Sequence, residues 1–228
     1  MKKPIKKIAA LTAAMIMIFS AFSCSKKGES DESESSAAEV SAGEFVTNPD
    51  EPDLGSYTVS EKGTKLYYSP DEFSSGLITA LEDYFLSFEH RSYDEYKALT
   101  YPYYLECMDK YLQENFGYNQ QKSFELQCDN FRENAGGEFK ITRLKVDTYP
   151  EGVTNDDGTA YDGVKSYLEN IGEMIGDENF YSTVSADCDK LHHMVFYLMV
   201  MTEEEEFTLY SEYEIVVAEK DGKYYTFG

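Results

Sequence analysis

Apolar positions along this chain change their spacing three times. An unbroken apolar run comes first, from Ile8 to Phe22. Residues 25 to about 56 then carry almost no periodic apolar side chain and are rich in Ser, Glu, Asp and Gly. Such a segment cannot bury enough surface to offset its ordering entropy, so it is expected to be a disordered acidic tether. As a flexible coil of about 30 residues it would span roughly 30 Å on average. From residue 57 onward apolar residues return, and they return at helical spacing.

Tyr57 to Tyr68 reads as an entry strand or extended arm. Ser69-Pro70-Asp71-Glu72 has the composition of a helix start, with Ser at the N-cap and Pro at the first helical position. Phe73, Leu77, Leu81, Tyr84, Phe85 and Phe88 follow at three-to-four spacing, which places them on one helix face. Ser92-Tyr93-Asp94-Glu95 is a second capping box. Pro102 restarts a helix carrying Tyr104, Leu105, Met108, Tyr111 and Leu112 as far as Gly117, and a shorter helix is expected across 121–132.

Beyond Ala135-Gly136-Gly137 the period drops to two. Phe139 and Ile141 alternate with polar residues, and Leu144 and Val146 continue out of phase, which predicts a bulge near Arg143. A helix is expected from Gly163 to Ile175. Val195 to Met201 is apolar on both faces and should be covered on both sides. Glu203 to Glu206 turns a hairpin into a strand in which Phe207, Leu209, Tyr213, Ile215 and Val217 alternate with Thr208, Tyr210, Glu212 and Glu214. Asp221-Gly222 makes the last tight turn. The expected class is α+β: N-terminal helices packed on a bent, cone-like antiparallel sheet, in one domain over 57–228.

Leu81 to Pro102 (LEDYFLSFEHRSYDEYKALTYP) and the closing hairpin Val216 to Phe227 resemble the first-helix junction and terminal strands of the nuclear transport factor 2-like superfamily, which includes ketosteroid isomerase-like proteins. That resemblance implies helices on one face of the sheet and a pocket or a dimer surface on the opposite, concave face. No catalytic residue of that family maps onto a position of this chain.

The N-terminus resembles a bacterial lipoprotein signal. Lys2, Lys3, Lys6 and Lys7 precede the apolar run, which is too short for a permanent span, and Ala21-Phe22-Ser23-Cys24 is similar to a lipobox. The resemblance implies cleavage after residue 23, a lipid on the sulfur of Cys24, and a membrane-anchored, extracytoplasmic domain tethered by residues 24–56. An ordinary cleaved signal peptide is the other reading. Removing residues 1–23 takes four lysines from 20 basic residues and none from 43 acidic ones, so the formal charge passes from −23 to −27. Such a surface excludes nucleic acid as a partner, since binding phosphate requires clustered Lys and Arg.

With 20 Tyr, 14 Phe and no Trp, the chain has ample core material and many amphipathic rings. If Cys24 carries lipid, Cys107, Cys128 and Cys188 remain, so at most one disulfide forms, or all three stay thiols. No Cys/His spacing fits a zinc site, and neither metal nor cofactor is expected.

Candidate chemistry is sparse. His192 and His193 are adjacent on a strand and point to opposite faces, so they cannot share one metal. His193 is a candidate base, against a surface histidine as the alternative. Tyr210, Glu212 and Glu214 share one strand face in a strict alternation; they would line a cavity in an isomerase-like enzyme with a carboxylate base, or form a solvated face. Asn155-Asp156-Asp157-Gly158 lacks the spacing of a calcium loop and reads as a surface turn, and Glu203 to Glu206 reads as a solvated hairpin tip. The reading is a non-catalytic module binding a small apolar or aromatic ligand or a protein partner, with homodimerisation through the sheet as one form of partner. The alternative is the isomerase-like enzyme. A two-lobed solute receptor is disfavoured because about 170 residues are few for two closing lobes.

Overall fold

A computed structural model of the chain describes residues 43–47, 54–150, 152–154, 158 and 160–228. The apolar leader, Cys24, most of the tether and Asn155 to Asp157 lie outside the described residues. Among the described residues seven strands form one sheet in chain order: β1 (Val46–Thr47), β2 (Ser56–Val59), β3 (Lys65–Tyr67), β4 (Lys140–Thr148), β5 (Lys190–Met201), β6 (Glu206–Lys220) and β7 (Lys223–Tyr225). Neighbours are antiparallel except β3 and β4, which run parallel with Leu66 opposite Leu144. Four helices fill the β3–β4 crossover: α1 (Ser75–His90), α2 (Tyr93–Leu99), α3 (Pro102–Phe116) and α4 (Gln120–Ala135). Two more, α5 (Gly163–Ile175) and α6 (Phe180–Asp187), lie between β4 and β5. The class is α+β, with the sheet curled into a half-barrel. Among the described residues no helix is long and apolar enough to cross a membrane.

The helices do not all precede the sheet. Tyr57 to Tyr68 is a hairpin rather than one arm, because Ser60 to Thr64 reverses the chain, with the Gly63 N–H donating to the Ser60 carbonyl at 3.0 Å. Val46 pairs with Tyr57 and Thr47 with Ser56, so the sheet begins inside the segment expected to be tether. A two-residue strand is too short to leave a periodic signal. The hairpin turn is pinned to α1 from below: the buried Glu82 carboxylate accepts from the Ser60 hydroxyl at 2.6 Å, and Lys62 pairs with Asp83.

Helix α1 starts at Ser74, whose side chain accepts from the Leu77 N–H, and not at Ser69. Residues 69–73 form a turn instead, held by the Glu72 and Phe73 N–H groups on the Ser69 carbonyl. The expected stripe is otherwise intact, with Phe73, Leu77, Leu81, Tyr84, Phe85 and Phe88 all buried. Each such burial contributes about 1.5–3 kcal/mol. Ser92 caps α2 by accepting from the Glu95 N–H, Pro102 opens α3, and Gly117 ends it in the left-handed region at φ 75°. Helix α4 is longer than expected because Asn119 caps it and Gly136, at φ 77°, ends it. Helix α5 has the expected bounds; α6 was not expected.

In β4 the extra residue is Thr142: Ile141 opposes Val200 and Arg143 opposes Met199. This bulge turns both Ile141 and Leu144 into the core. Strand β5 departs from expectation. Met194, Phe196, Leu198 and Val200 are buried, with Phe85 of α1 at 4.6 Å from the Phe196 ring, whereas Val195, Tyr197 and Met199 are only half-buried. Around that outer side the sheet carries ion pairs, Arg143–Glu206 at 2.7 Å and Lys145–Asp147 at 2.7 Å, beside its apolar side chains.

Candidate ligand site

Strand β5 aims His192 and His193 to opposite faces, as its alternation requires. His192 meets Glu219 at 3.0 Å near the Tyr224 ring, at the end of the sheet where the Ser74 hydroxyl meets the Tyr224 hydroxyl. His193 belongs to a different cluster. Its Nε2 lies 2.6 Å from Glu214 Oε1, and its ring stacks on Tyr149 with centroids 3.9 Å apart and planes 15° apart.

Each partner is placed by a local feature. Tyr149 follows the end of β4 and donates its backbone N–H to the His193 carbonyl at 3.4 Å, which continues the ladder by one residue. Tyr161 donates its N–H to the Val153 carbonyl at 3.0 Å, closing the 149–161 loop on itself. The Tyr161 ring then sits 5.9 Å from Tyr149. Asp162 caps α5 by accepting from the Lys165 N–H at 3.0 Å. That cap sets the first helical residue, Gly163, directly against the His193 ring, and a Cβ there would fall within the imidazole. Glycine is therefore required by packing, not by backbone angle.

These groups border a cavity of about 370 Å³ lined by Glu72, Thr148, Tyr149, Pro150, Gly152, Val153, Tyr161, Gly163 and His193. Burial, and after it the Glu214 carboxylate, raise the pKa of both Tyr149 and Tyr161. Their hydroxyls thus stay protonated at neutral pH. The His193 side chain is 13% exposed and that of Glu214 32%; His193 lines the cavity, and Glu214, outside the lining, holds its ring.

The sequence candidates divide. His193 and Glu214 come together, which the sequence did not pair. Glu212 lies apart, accepting from the Tyr197 hydroxyl at 3.2 Å. Tyr210 is a correction: it does not share a face with Glu212 and Glu214 but packs in the core against Phe131, Phe196 and Tyr213. Burial pushes its pKa up to about 12. The cause lies in register. Leu198 opposes Tyr210, Met199 opposes Thr208 and Phe196 opposes Tyr213, so β6 carries extra residues on both sides of Tyr210. Glu212 sits in the second irregularity at φ 54°, where a non-glycine residue is uncommon. Two bulges invert Tyr210 and then restore the phase for Ile215.

Cys107, Cys128 and Cys188 are all free thiols. Cys128 is buried, which pushes its pKa up to about 11 and leaves it inert, and no disulfide forms among the three. Among the described residues no group of three or more His, Cys, Asp or Glu is arranged to hold a metal.

No family model, curated protein or solved structure matches this chain.

Proposed function

We propose that this chain is a lipid-anchored, extracytoplasmic, non-catalytic binding module, with Cys24 carrying the lipid and the His193 cavity as its ligand site. In this reading the domain is a relative of the nuclear transport factor 2-like superfamily, elaborated by α5 and α6. The observation that carries the binding function is the Tyr149–His193 stack beside a cavity of about 370 Å³. That volume lies within the roughly 300–1,000 Å³ of small-molecule sites, and rings held in place by packing supply contact area at little entropic cost. Glu214 fixes the imidazole from below and so sets which ring nitrogen faces outward.

The alternative, an isomerase-like enzyme with Glu214 as base, draws support from the two protonated phenols nearby. Against it, Glu214 is already engaged by His193 at 2.6 Å, whereas a general base must reach a substrate proton.

The test is amide chemical-shift mapping of the purified chain against a small-fragment library. Fragments are expected to perturb Gly152, Val153, Tyr161 and Gly163 together. In Gly163→Val, whose side chain displaces the His193 ring, the same fragments are expected to bind at least tenfold more weakly. Perturbations scattered elsewhere, or a Gly163→Val chain that binds as well as wild type, would refute the reading.

A further inference from the structure

We infer that the His193 cavity takes an organic cation, a ligand presenting a primary or quaternary ammonium group. This inference rests on the reading of the cavity as a ligand site and specifies its ligand.

The first ground is the charge of the lining. The nine lining residues include one acidic residue, Glu72, and no lysine or arginine. Behind His193 stands a second carboxylate, Glu214, 2.6 Å from Nε2. An anionic ligand would meet one acidic residue and no lysine or arginine in the lining, on a chain of formal charge −23. An ammonium group meets the opposite field both locally and at long range.

The second ground is the rings. Among the described residues, two tyrosines carry an internal cation over the ring: Tyr57 under Lys65 at 4.9 Å and Tyr197 under Lys145 at 5.1 Å. Tyr149 and Tyr161 are related by 5.9 Å and 39° and line the cavity together without such a lysine. One face of Tyr149 is taken by His193 at 3.9 Å. With Glu72 in the same lining, the remaining aromatic surface supplies the elements of an ammonium site: π faces for the charge and an acidic residue for its N–H groups. Both phenols remain protonated, so they add oxygen acceptors without adding charge that would need neutralising.

An ammonium group reaches such a site from two sources, a free amine or a lysine side chain in a peptide. Three isosteric probes test the charge: butylammonium, butyrate and butanol, each titrated into the purified chain by amide chemical-shift mapping. Butylammonium is expected to saturate shifts at Val153, Tyr161 and Gly163 with an affinity at least tenfold above butyrate and butanol. Glu72→Gln, a change at an exposed turn, is expected to weaken butylammonium about three- to tenfold and leave butanol unchanged. Butylammonium and tetramethylammonium on one side and Nα-acetyl-lysine amide on the other separate the sources, tighter binding of the former marking a free amine and of the latter a lysyl side chain. Equal or tighter binding of butyrate or butanol at the same residues overturns the cation inference and leaves the ligand site standing. Silence of these residues towards every probe and every library fragment overturns both.

Discussion

Phe88→Ala is expected to remove about 3–5 kcal/mol of unfolding free energy, the largest stability loss of any single truncation in this domain. Phe88 is where the helices meet. Its ring stacks on Phe131 of α4 at 4.6 Å and 9°, and lies 5.2 Å from Tyr84, 5.2 Å from Phe124 and 5.7 Å from Tyr96. Truncation therefore leaves a cavity bounded by rings on α1, α2 and α4 that cannot all move inward together. Aromatic pairs contribute about 0.5–1.5 kcal/mol each beyond their area, and several are lost at once. Against a total of about 5–15 kcal/mol, the variant would be marginal at room temperature. Urea unfolding followed by circular dichroism measures the loss. Leu126→Ala, at a position 44% exposed on α4, is the control and should stay within about 0.5 kcal/mol of wild type. A loss below about 1 kcal/mol for Phe88→Ala would mean that this ring cluster is not the centre of the core.

Cys24→Ala is expected to have an all-or-none effect on lipid labelling. If the sulfur carries a diacylglycerol, metabolic labelling with radioactive palmitate marks the wild-type chain and not the variant. Fractionation should find wild type in the membrane pellet. A single acyl chain binds membranes only marginally, but two or more chains hold firmly, at about 0.8 kcal/mol per buried methylene. The variant is expected to lose both the lipid and the cleavage before residue 24, so it keeps the four leader lysines and the apolar run Ile8 to Phe22 and runs as an unlabelled, larger precursor. Labelling that survives the substitution, or a variant cleaved like the wild type, would remove the anchor from this account.

The helical half was legible because its signals are local. The Phe73-to-Phe88 stripe, the Ser92 capping box, Pro102 at a helix start and the glycines that end α3 and α4 each act within one or two turns. The Arg143 bulge was legible for the same reason, as a phase slip within one strand. What escaped depends on partners distant in sequence. The true start of α1 is fixed by Ser74, whose hydroxyl also meets Tyr224, 150 residues away in the chain. The parallel β3–β4 pairing is invisible in either segment alone. Tyr210 was misplaced because a pair of bulges in β6 depends on the strand opposite.

The candidate site was half legible. His193 and Glu214 stood out by residue type, but their pairing follows from strand register. Tyr149, Tyr161 and Glu72 lie in loops and turns with no periodic signature. Gly163 was read only as a helix boundary, although the packing of His193 demands a glycine there.

The most direct test of the central claim is native mass spectrometry of the purified chain, with native and denatured spectra compared for wild type and Gly163→Val. The account expects a small organic mass on the wild-type monomer that leaves on denaturation and is missing from the variant. A clean homodimer without any bound mass would contradict it, by assigning the sheet face to self-association and leaving the His193 cavity without a ligand.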